Sequence, residues 1–313
     1  MAVLSFSRNF YNYDVSDILA DNLRNRLEYG LLELGAFTNV QFSLPTSGYT
    51  NLKSVYDPRH SNYQVYEGLG PSWVWQDDVG TVDGSTPPIN ASGVWVNSVF
   101  YPTVSTSGTY THKIDFQNGR VIFDSPLISS DSVKCEYSFN DVAIRLTSDP
   151  MFLTVANEYL SRFNTLTQLS PSGMASILKE KRVWMPAVFL STHSHTYQGL
   201  QLGGGKIEKV RVIYRVVSDM PFSNSKLSDV ITNQVSTHFC IYDANLAPPE
   251  YNFDGTVNPS GQTYKELSER SSPHFWTFAY VNTSNGGGLP NSSDVYRSDV
   301  TQEVWVDRYL STY

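Results

Sequence analysis

Residues 209–235 read KVRVIYRVVSDMPFSNSKLSDVITNQV, and the hydrophobic period changes inside this stretch. From 209 to 218 every second side chain is apolar, which is typical of a long strand with one buried face. Further on, the apolar residues recur at helical spacing, at Leu227, Val230, Ile231 and Val235. This spacing predicts an amphipathic helix that packs on the sheet and is capped by Asn224 or Ser225.

Further elements are predicted on both sides of this strand and helix in the sequence. Leucines at four-residue spacing predict a helix over 15–34, which Asp14, Ser16 or Asp17 caps and Gly35 ends. The apolar run 183–190 predicts a strand that starts near Pro186 or lies at a sheet edge. The remaining signals are a glycine-rich turn and a closing strand, at 199–205 and 300–310.

Residues 93–146 have the pattern of a compact all-β module. Asn118-Gly119 separates two short alternating runs, and this pair is the strongest short signal for a β-hairpin. Another strand is expected over 133–139. Residues 45–92 and 243–294 are rich in turn-forming residues and are therefore predicted as loops, the first with short strands.

The composition of the 313-residue chain favours β-structure with surfaces that become buried against neighbours. Charged residues make up 17%, against roughly 25% in average soluble domains, while the chain carries 20 tyrosines. The net charge is −8 and no cluster of Lys and Arg is present, which argues against a nucleic-acid-binding protein. An acidic chain that lines a channel would instead repel phosphate.

The cysteines and the N-terminus bear on the compartment. Cys135 and Cys240 lie far apart in apolar stretches, which favours two reduced, buried thiols. No apolar run approaches the roughly 18 residues of a membrane span, and residues 1–12 lack the pattern of an export signal. We therefore expect a protein assembled in the cytoplasm that has no membrane partner.

Two motifs invite a chemical reading. His193 and His195 have a spacing that metals use, but no third ligand is evident nearby, so strand-end histidines are favoured. The glycines before Lys206 suggest a phosphate loop, yet Ile207 stands where that loop needs Ser or Thr. A flexible hairpin tip is the preferred interpretation of the second motif.

Two further groups are weighed in the same way. The acidic residues Asp77, Asp78 and Asp83 resemble a loose calcium loop without its glutamate, which favours a solvated turn. A set of aromatic residues could bind glycans, but packing in a core or subunit interface is preferred: Tyr63, Tyr66, Trp73, Trp75 and Trp95. We therefore expect no catalytic residue, cofactor or metal.

The order of these elements resembles the phage tail terminator family, also called tail completion proteins. The matching segments include MPAVFL at 185–190 and YQGLQLG at 197–203, together with 15–35, 209–218, 226–238 and 301–310. A second resemblance, of NGRVIFD at 118–124 and SVKCEYS at 132–138, is to a hairpin phrase of many phage tail and neck proteins. The chain departs from typical terminators, which are about half as long, by its large insertion.

The resemblance implies an α+β fold, in which a terminator-like sheet packed by two helices carries a large inserted all-β, sandwich-like module. The terminator-like domain would comprise 1–45 and 147–313, and the inserted domain 46–146. It further implies a non-enzymatic virion protein, assembled in the host cytoplasm, that forms a hexameric ring at the tail–neck junction. The expected partners are other copies of the chain, the tail tube, neck or connector proteins and the tail sheath.

In this interpretation DNA passes through the lumen of the ring without specific binding, and the acidic chain predicts a negative lumen. The hairpin 197–205 and the turn 222–226 are the expected contact elements between subunits. Their candidate interface residues are Tyr197, Gln198, Leu200, Leu202, Phe222 and Asn224.

Other classes of protein remain open from the sequence. A neck, connector or sheath-contacting virion protein of similar fold is one alternative. A receptor-binding or glycan-binding tail appendage, which would use the aromatic insertion, is another. A third alternative, a tail-associated hydrolase, would need a pair of acids in a cleft. The number of subunits in the purified oligomer separates a ring-forming protein from a tail appendage.

Overall fold

The computed structural model describes residues 14–82, 84, 86–103, 108–148, 185–199, 205–288 and 295–308. Within these residues the chain is an α+β protein in which strands predominate. Fifteen strands form four sheets, accompanied by three α-helices, in this described part of the chain. The predicted α+β class is therefore confirmed.

Helix α1 (Val15–Glu33) confirms the helix predicted over 15–34. The Asp14 carboxylate caps it, accepting hydrogen bonds from the backbone N–H groups of Ser16 at 2.8 Å and Asp17 at 3.1 Å. These bonds satisfy two donors that a helix start leaves unpaired. Gly35 follows with φ of +78°, a backbone conformation that glycine adopts without strain and that ends the helix.

Nine short strands form the module that follows α1. They are β1 (Phe37–Val40), β2 (Lys53–Val55), β3 (Val65–Glu67), β4 (Gly93–Val96), β5 (Val99–Pro102), β6 (His112–Asp115), β7 (Arg120–Phe123), β8 (Val133–Lys134) and β9 (Tyr137–Asn140). They pair in the orders β2-β3-β7-β6, β5-β4-β8 and β1-β9. Their buried side chains share one apolar core, in which the rings of Trp73 and Tyr137 stack with centroids 4.0 Å apart.

The hairpin predicted at Asn118-Gly119 is confirmed, because β6 and β7 pair antiparallel with Ile114 opposite Val121. Gly119 has φ of +66°. A Cβ atom at this position would lie 2.3 Å from the carbonyl oxygen of Gly70, which is far inside contact distance. The turn therefore requires glycine for both its backbone conformation and its packing.

A six-stranded sheet forms the second part of the fold. Its strands are β10 (Ala143–Leu146), β11 (Ala187–Gly199), β12 (Lys206–Ser218), β13 (His238–Tyr242), β14 (Phe275–Gly288) and β15 (Tyr296–Arg308), in the order β10-β11-β12-β15-β14-β13. Only the β10–β11 pair is parallel among these. The alternation predicted over 209–218 is confirmed, since Val210, Val212, Tyr214 and Val216 are all buried.

One face of this sheet is covered by two helices. Buried side chains of α1 and of α2 (Pro221–Thr232) belong to the same core as those of β11, β12, β14 and β15. The short α3 (Tyr264–Ser268) begins with a capping box between Thr263 and Glu266. The opposite face of the four long strands carries no helix among the described residues.

The start predicted for α2 at Asn224 or Ser225 is wrong. The helix begins at Pro221, with Met220 as the N-cap. Proline suits this first position because its fixed φ is already helical and its missing N–H would have no partner there. Val235, predicted to be part of the apolar face, lies beyond the helix end and is exposed.

Three segments differ from the expected boundaries. Residues 243–294 were predicted as loops, yet they contain α3 and β14, and the triple glycine of 286–288 lies in that strand. β10 falls inside the range 46–146 but pairs with β11 of the large sheet, while β1, before this range, pairs with β9. β11 starts directly after Pro186, as expected from the proline.

Candidate functional site

The predicted contact hairpin corresponds to the end of β11 and the start of β12. The side chains of Tyr197 and Gln198 are exposed near this end, and Lys206 places its ammonium 4.5 Å from the centroid of the Tyr197 ring. Leu200 and Leu202 lie outside the described residues. The hairpin thus presents an aromatic and cationic surface at one end of the sheet.

The turn before α2 divides its predicted residues between surface and interior. Phe222 is 78% exposed and its neighbour Met220 is 59% exposed. Asn224, in contrast, is buried, and its amide donates to the carbonyl oxygens of Val216 at 3.2 Å and Tyr296 at 3.1 Å. The side chain of Asn224 therefore fastens α2 to the sheet, and the apolar surface of the turn consists of Met220 and Phe222.

The long strands extend past their short neighbours. β10 pairs only with Ala187–Leu190 of β11, and β13 pairs with β14 only as far as Tyr280. In the described part of the chain, no strand lies beside 191–196 of β11 or 282–288 of β14. Three successive antiparallel pairings separate β11 from β14, so these two open edges run in opposite directions.

The face opposite the helices is concave and carries charges of both signs. A cavity of about 290 Å³ is lined from all four long strands, by Thr196, Lys209, Thr301 and Thr283 among others. Three cations project from β12 and three anions from β15: Lys209, Arg211, Arg215, Asp299, Glu303 and Asp307. Lys209 lies 4.6 Å from the Trp305 ring centroid, and Arg215 pairs with Asp299 at 3.3 Å.

A larger cleft, of about 530 Å³, lies where α1, the β-module and the loop after β13 meet. Asn22 holds the end of β13 to α1: its amide donates to the Tyr242 carbonyl, and its oxygen accepts from the Tyr242 N–H, both at 3.0 Å. Trp75 of the module donates through Nε1 to Glu250 at 2.7 Å. The cleft is thus a junction of three segments that are far apart in the sequence.

Acidic side chains dominate the charge of this cleft. Its wall contains Asp21, Glu28 and Glu250, with Arg24 between them as the cation. Arg24 lies 3.8 Å from Glu250, and Asn140 donates to Glu28 at 2.7 Å. Burial, assisted by the nearby Glu250 carboxylate, raises the pKa of Glu28 to about 7, although Arg24, Arg145 and Asn140 oppose the shift.

The pKa values of the neighbouring groups Asp21 and Arg24 are also shifted by burial and by the nearby carboxylates. Burial raises the pKa of Asp21, with smaller contributions from Asp17 and Glu250. Burial acts against the charged form of Arg24, but the surrounding carboxylates raise its pKa nevertheless. Burial in a site where carboxyl groups outnumber cations therefore makes Glu28 hold its proton up to a pH of about 7.

We predict that Glu28→Gln makes the thermal stability less dependent on pH. A carboxyl whose pKa is higher in the folded chain stabilises it fully below the ordinary value of 4.5, and this contribution is lost as the pH rises through about 7. Glutamine mimics the protonated group and can still accept from Asn140. The variant should match the parent near pH 4.5 and have the higher melting temperature at pH 8.

Asp229→Asn is the control for this prediction. Asp229 is exposed on α2, and the substitution removes one negative charge away from the cleft, as Glu28→Gln does within it. Its melting temperatures should follow those of the parent at every pH. Parallel melting curves for Glu28→Gln and the parent from pH 4.5 to pH 8 would contradict the assignment.

A hydrolase would need two acids in a cleft that are available to a substrate. Glu28 and Glu250 lie in one cleft, but both are engaged by other side chains. One oxygen of Glu250 accepts from Trp75 and the other pairs with Arg24. Glu28 is held by Asn140. Side chains engaged in this way fix the junction between the segments, and the non-enzymatic assignment stays a prediction.

The histidines, aromatic residues and cysteines singled out in the sequence form no metal site among the described residues, and most of the aromatic rings are buried. His193 is exposed and contacts Ser191 at 2.9 Å, while nothing is described of the His195 side chain. Within the described residues no group of acids, histidines or cysteines could hold a metal ion. Three of the five aromatic residues considered for a glycan-binding surface, Tyr66, Trp73 and Trp75, are buried and therefore cannot form one. Cys135 and Cys240 are free thiols, the first of them buried.

The cleft residues were not predicted from the sequence. Arg24 and Glu28 stand one helical turn apart on α1, which is the usual spacing of a solvated ion pair. Glu250 lies in a proline-containing loop with no periodic pattern. The only local signal for a special role was the surplus of acid on one side of α1.

Neither a protein-family model nor a curated protein matches this chain. Among the described helices, none is long and apolar enough to cross a lipid bilayer.

Proposed function

We propose that the chain is a structural protein of a tailed-phage virion that forms a hexameric ring at the tail–neck junction. The ring would cap the tail tube and join it to the head connector. The sequence resemblance supports this position in the virion. The observation that carries the self-association is the pair of strand edges, on β11 and β14 at the two sides of one sheet, that have no partner strand in the part of the chain that the structure describes.

The direction of the two edges suits a closed ring. Copies related by rotation about one axis would bring the β14 edge of one subunit to the β11 edge of the next. Because β11 and β14 run in opposite directions, this contact is antiparallel and extends the sheet from subunit to subunit. The contact is heterologous, and heterologous contacts form rings when the rotation closes.

The offset of the open edges also suits a barrel. In the register of the sheet, Ser191 shares a row with Asn285, through Ile213 and Thr301. The open stretches overlap fully only when neighbouring subunits are staggered by a few residues. A stagger of this kind accompanies the strand tilt that closes a sheet into a barrel.

In such a ring the helices lie outside and the concave face lines the lumen. That face carries cations on β12 and three anions with the cation Arg297 on β15, although the whole chain has a net charge of −8. The uniformly negative lumen expected from net charge is therefore replaced, in this proposal, by a lumen of mixed charge. Rows of both signs leave DNA without a continuous cationic track, so the DNA slides through without specific binding.

The work of this protein is binding, without catalysis or cofactor. The exposed side chains of Met220 and Phe222 offer an apolar contact to the tail tube or a neck protein. The inserted β-module is free to meet the tail sheath or the head connector. Virion location and host-cytoplasm assembly follow from the same proposal.

Cysteines placed on the two edges test the ring directly. In one of the registers that overlap the two edges fully, Thr196 lies opposite Thr283, and both side chains are exposed. In a chain with Cys240→Ser, the double variant Thr196→Cys/Thr283→Cys should give an oxidised ladder that ends at six copies. Light scattering on the purified parent should give the same number.

The single-cysteine variants are the matched controls, because a head-to-tail contact needs one cysteine from each edge. Each single variant should give no species larger than a dimer. A monomer that stays monomeric at high concentration, or a double variant that bonds only within one chain, would contradict the ring. Micrographs of virions lacking the protein then test the position, since loss of a terminator should leave overlong or headless tails.

A further inference from the structure

The cleft at the junction has features that the ring does not use. Its wall brings together three carboxyl groups and only one guanidinium group, as described above. Arg145, from β10, also acts on Glu28, but it does not line the cleft. A negatively charged ligand would meet like charge here, whereas a positively charged ligand would relieve the surplus of acid.

Buried polar atoms around the cleft point to the same kind of ligand. Asn140 is only 7% exposed, and its amide is directed at Glu28, yet its Oδ1 has no hydrogen-bond partner in the described structure. Gln262 lines the cleft, and its Oε1 is also buried and unpartnered. Both atoms are acceptors, but Asn140 reaches the site only through Glu28, so Gln262 is the residue of the cleft wall whose oxygen lacks a donor.

Aromatic rings complete the wall. Trp75, Tyr242 and Tyr251 line the cleft, and the rings of Trp75 and Tyr251 meet edge to face with centroids 6.3 Å apart. The electron-rich faces of such rings attract cations, most strongly where water is displaced.

We propose that this cleft binds a small organic ammonium ion, such as an aliphatic diamine. An ammonium group has three donors and no acceptor, which matches the carboxylates and the unpartnered Gln262 oxygen of the cleft wall. A neutral polyol would bring an acceptor with every donor and would leave the carboxylates uncompensated. The volume of about 530 Å³ lies in the range of small-ligand pockets.

Binding of such a cation is linked to protons through Glu28. The groups that face Glu28 are Arg24 on α1, Arg145 on β10, Asn140 on β9, and Glu250 with Tyr251 on the loop. With a pKa near 7, Glu28 is partly protonated at neutral pH, and an incoming ammonium group favours its ionised form. Affinity should therefore rise roughly tenfold from pH 6 to pH 8.

Calorimetric titration of the full chain with 1,4-diaminobutane tests the proposal. Butane-1,4-diol, which has the same length but no charge, should not bind. In buffers of different ionisation enthalpy, the diamine should release about half a proton per site at pH 7. Equal binding of diamine and diol, or no saturable binding of the diamine at millimolar concentration, would overturn the proposal.

A variant and its control place the ligand in this cleft. Glu28→Gln keeps the acceptor for Asn140 and should weaken diamine binding at least tenfold at pH 8, with the pH dependence and proton release lost. Asp229→Asn removes one charge outside the cleft and should bind as the parent does. Circular dichroism confirms that both variants fold, and unchanged affinity of a folded Glu28→Gln would exclude this site.

Nα-acetyl-lysine amide, whose side-chain ammonium group is free, serves as a second probe, because a lysine side chain of another protein carries the same ammonium group. A free diamine should bind more tightly, since both of its ends are charged and the cleft holds several carboxyl groups. The proposal does not depend on the ring: a chain that fails to assemble can still bind the diamine, and a ring can form without it.

Discussion

Of Gly287→Pro and Gly288→Pro, one is expected to weaken ring assembly and the other to spare it. Successive N–H groups of a strand point to opposite edges, so one of these two faces β15 and the other faces the open edge of β14. A Cβ atom at either glycine would meet nothing within 4 Å. The Cβ atom of proline therefore fits at both positions, while its Cδ atom replaces the amide hydrogen and meets β15 only at the inward-facing residue.

The size of the effect follows from the symmetry of the ring. Proline at the outward-facing residue removes a donor that only a neighbouring subunit could use, at a cost of about 1 kcal/mol per contact. A hexamer closes through six identical contacts, so the assembly would lose about 6 kcal/mol, or roughly 10⁴-fold in its equilibrium constant. Light scattering at the concentration where the parent forms rings measures this loss.

The inward-facing position is the built-in control. Proline there removes a ladder bond to β15 and should lower the melting temperature while the ring still forms. Two variants that both assemble like the parent would show that the β14 edge takes no part in the contact. Two that both fail while folded would point to the end of the strand rather than to its hydrogen bonds.

Trp73→Ala is expected to destabilise the module of β1 to β9 by about 3–5 kcal/mol. Trp73 is 1% exposed and stacks on Tyr137, with the ring planes 14° apart. The packing around it is tight, since a Cβ at Gly68 would lie 2.6 Å from the Trp73 ring. Alanine leaves a cavity that these rigid neighbours cannot fill, and a typical domain has only about 5–15 kcal/mol to lose.

Urea unfolding followed by both near-UV and far-UV circular dichroism measures this change. Phe253→Ala is the control, because Phe253 is fully exposed and its loss should change the unfolding free energy by less than about 0.5 kcal/mol. A separate early transition in Trp73→Ala would also support the division of the chain into two domains. A loss below about 1 kcal/mol would contradict the central role of this ring pair.

Several local elements could be predicted from the sequence because their signals are local. The leucine spacing of α1 and the alternation of β12 each reflect one buried face of a regular element. The hairpin at Asn118-Gly119 was predictable because glycine readily adopts the positive φ of Gly119. Asn118 does not have positive φ, and the loop between β6 and β7 comprises four residues, 116–119. None of these inferences needed a contact between distant parts of the chain.

The errors have physical reasons of the same kind. β14 was predicted as a loop because its second half is rich in small and polar residues, yet pairing with β15 holds it in an extended conformation. The start of α2 was placed at Asn224 because that residue type favours helix caps. In the fold, the Asn224 amide is needed by the carbonyl groups of two strands, and Pro221 starts the helix.

The sequence by itself determined where most regular elements lie, the α+β class, and the acidic, weakly charged composition. Tertiary structure alone decided which edges of β11 and β14 have no neighbouring strand among the described residues, because an edge is defined by the strands that lie beside it. It also decided that Glu28 and Glu250 share a cleft. Side chains this far apart interact only after folding, and their perturbed ionisation depends on burial, which no local pattern encodes.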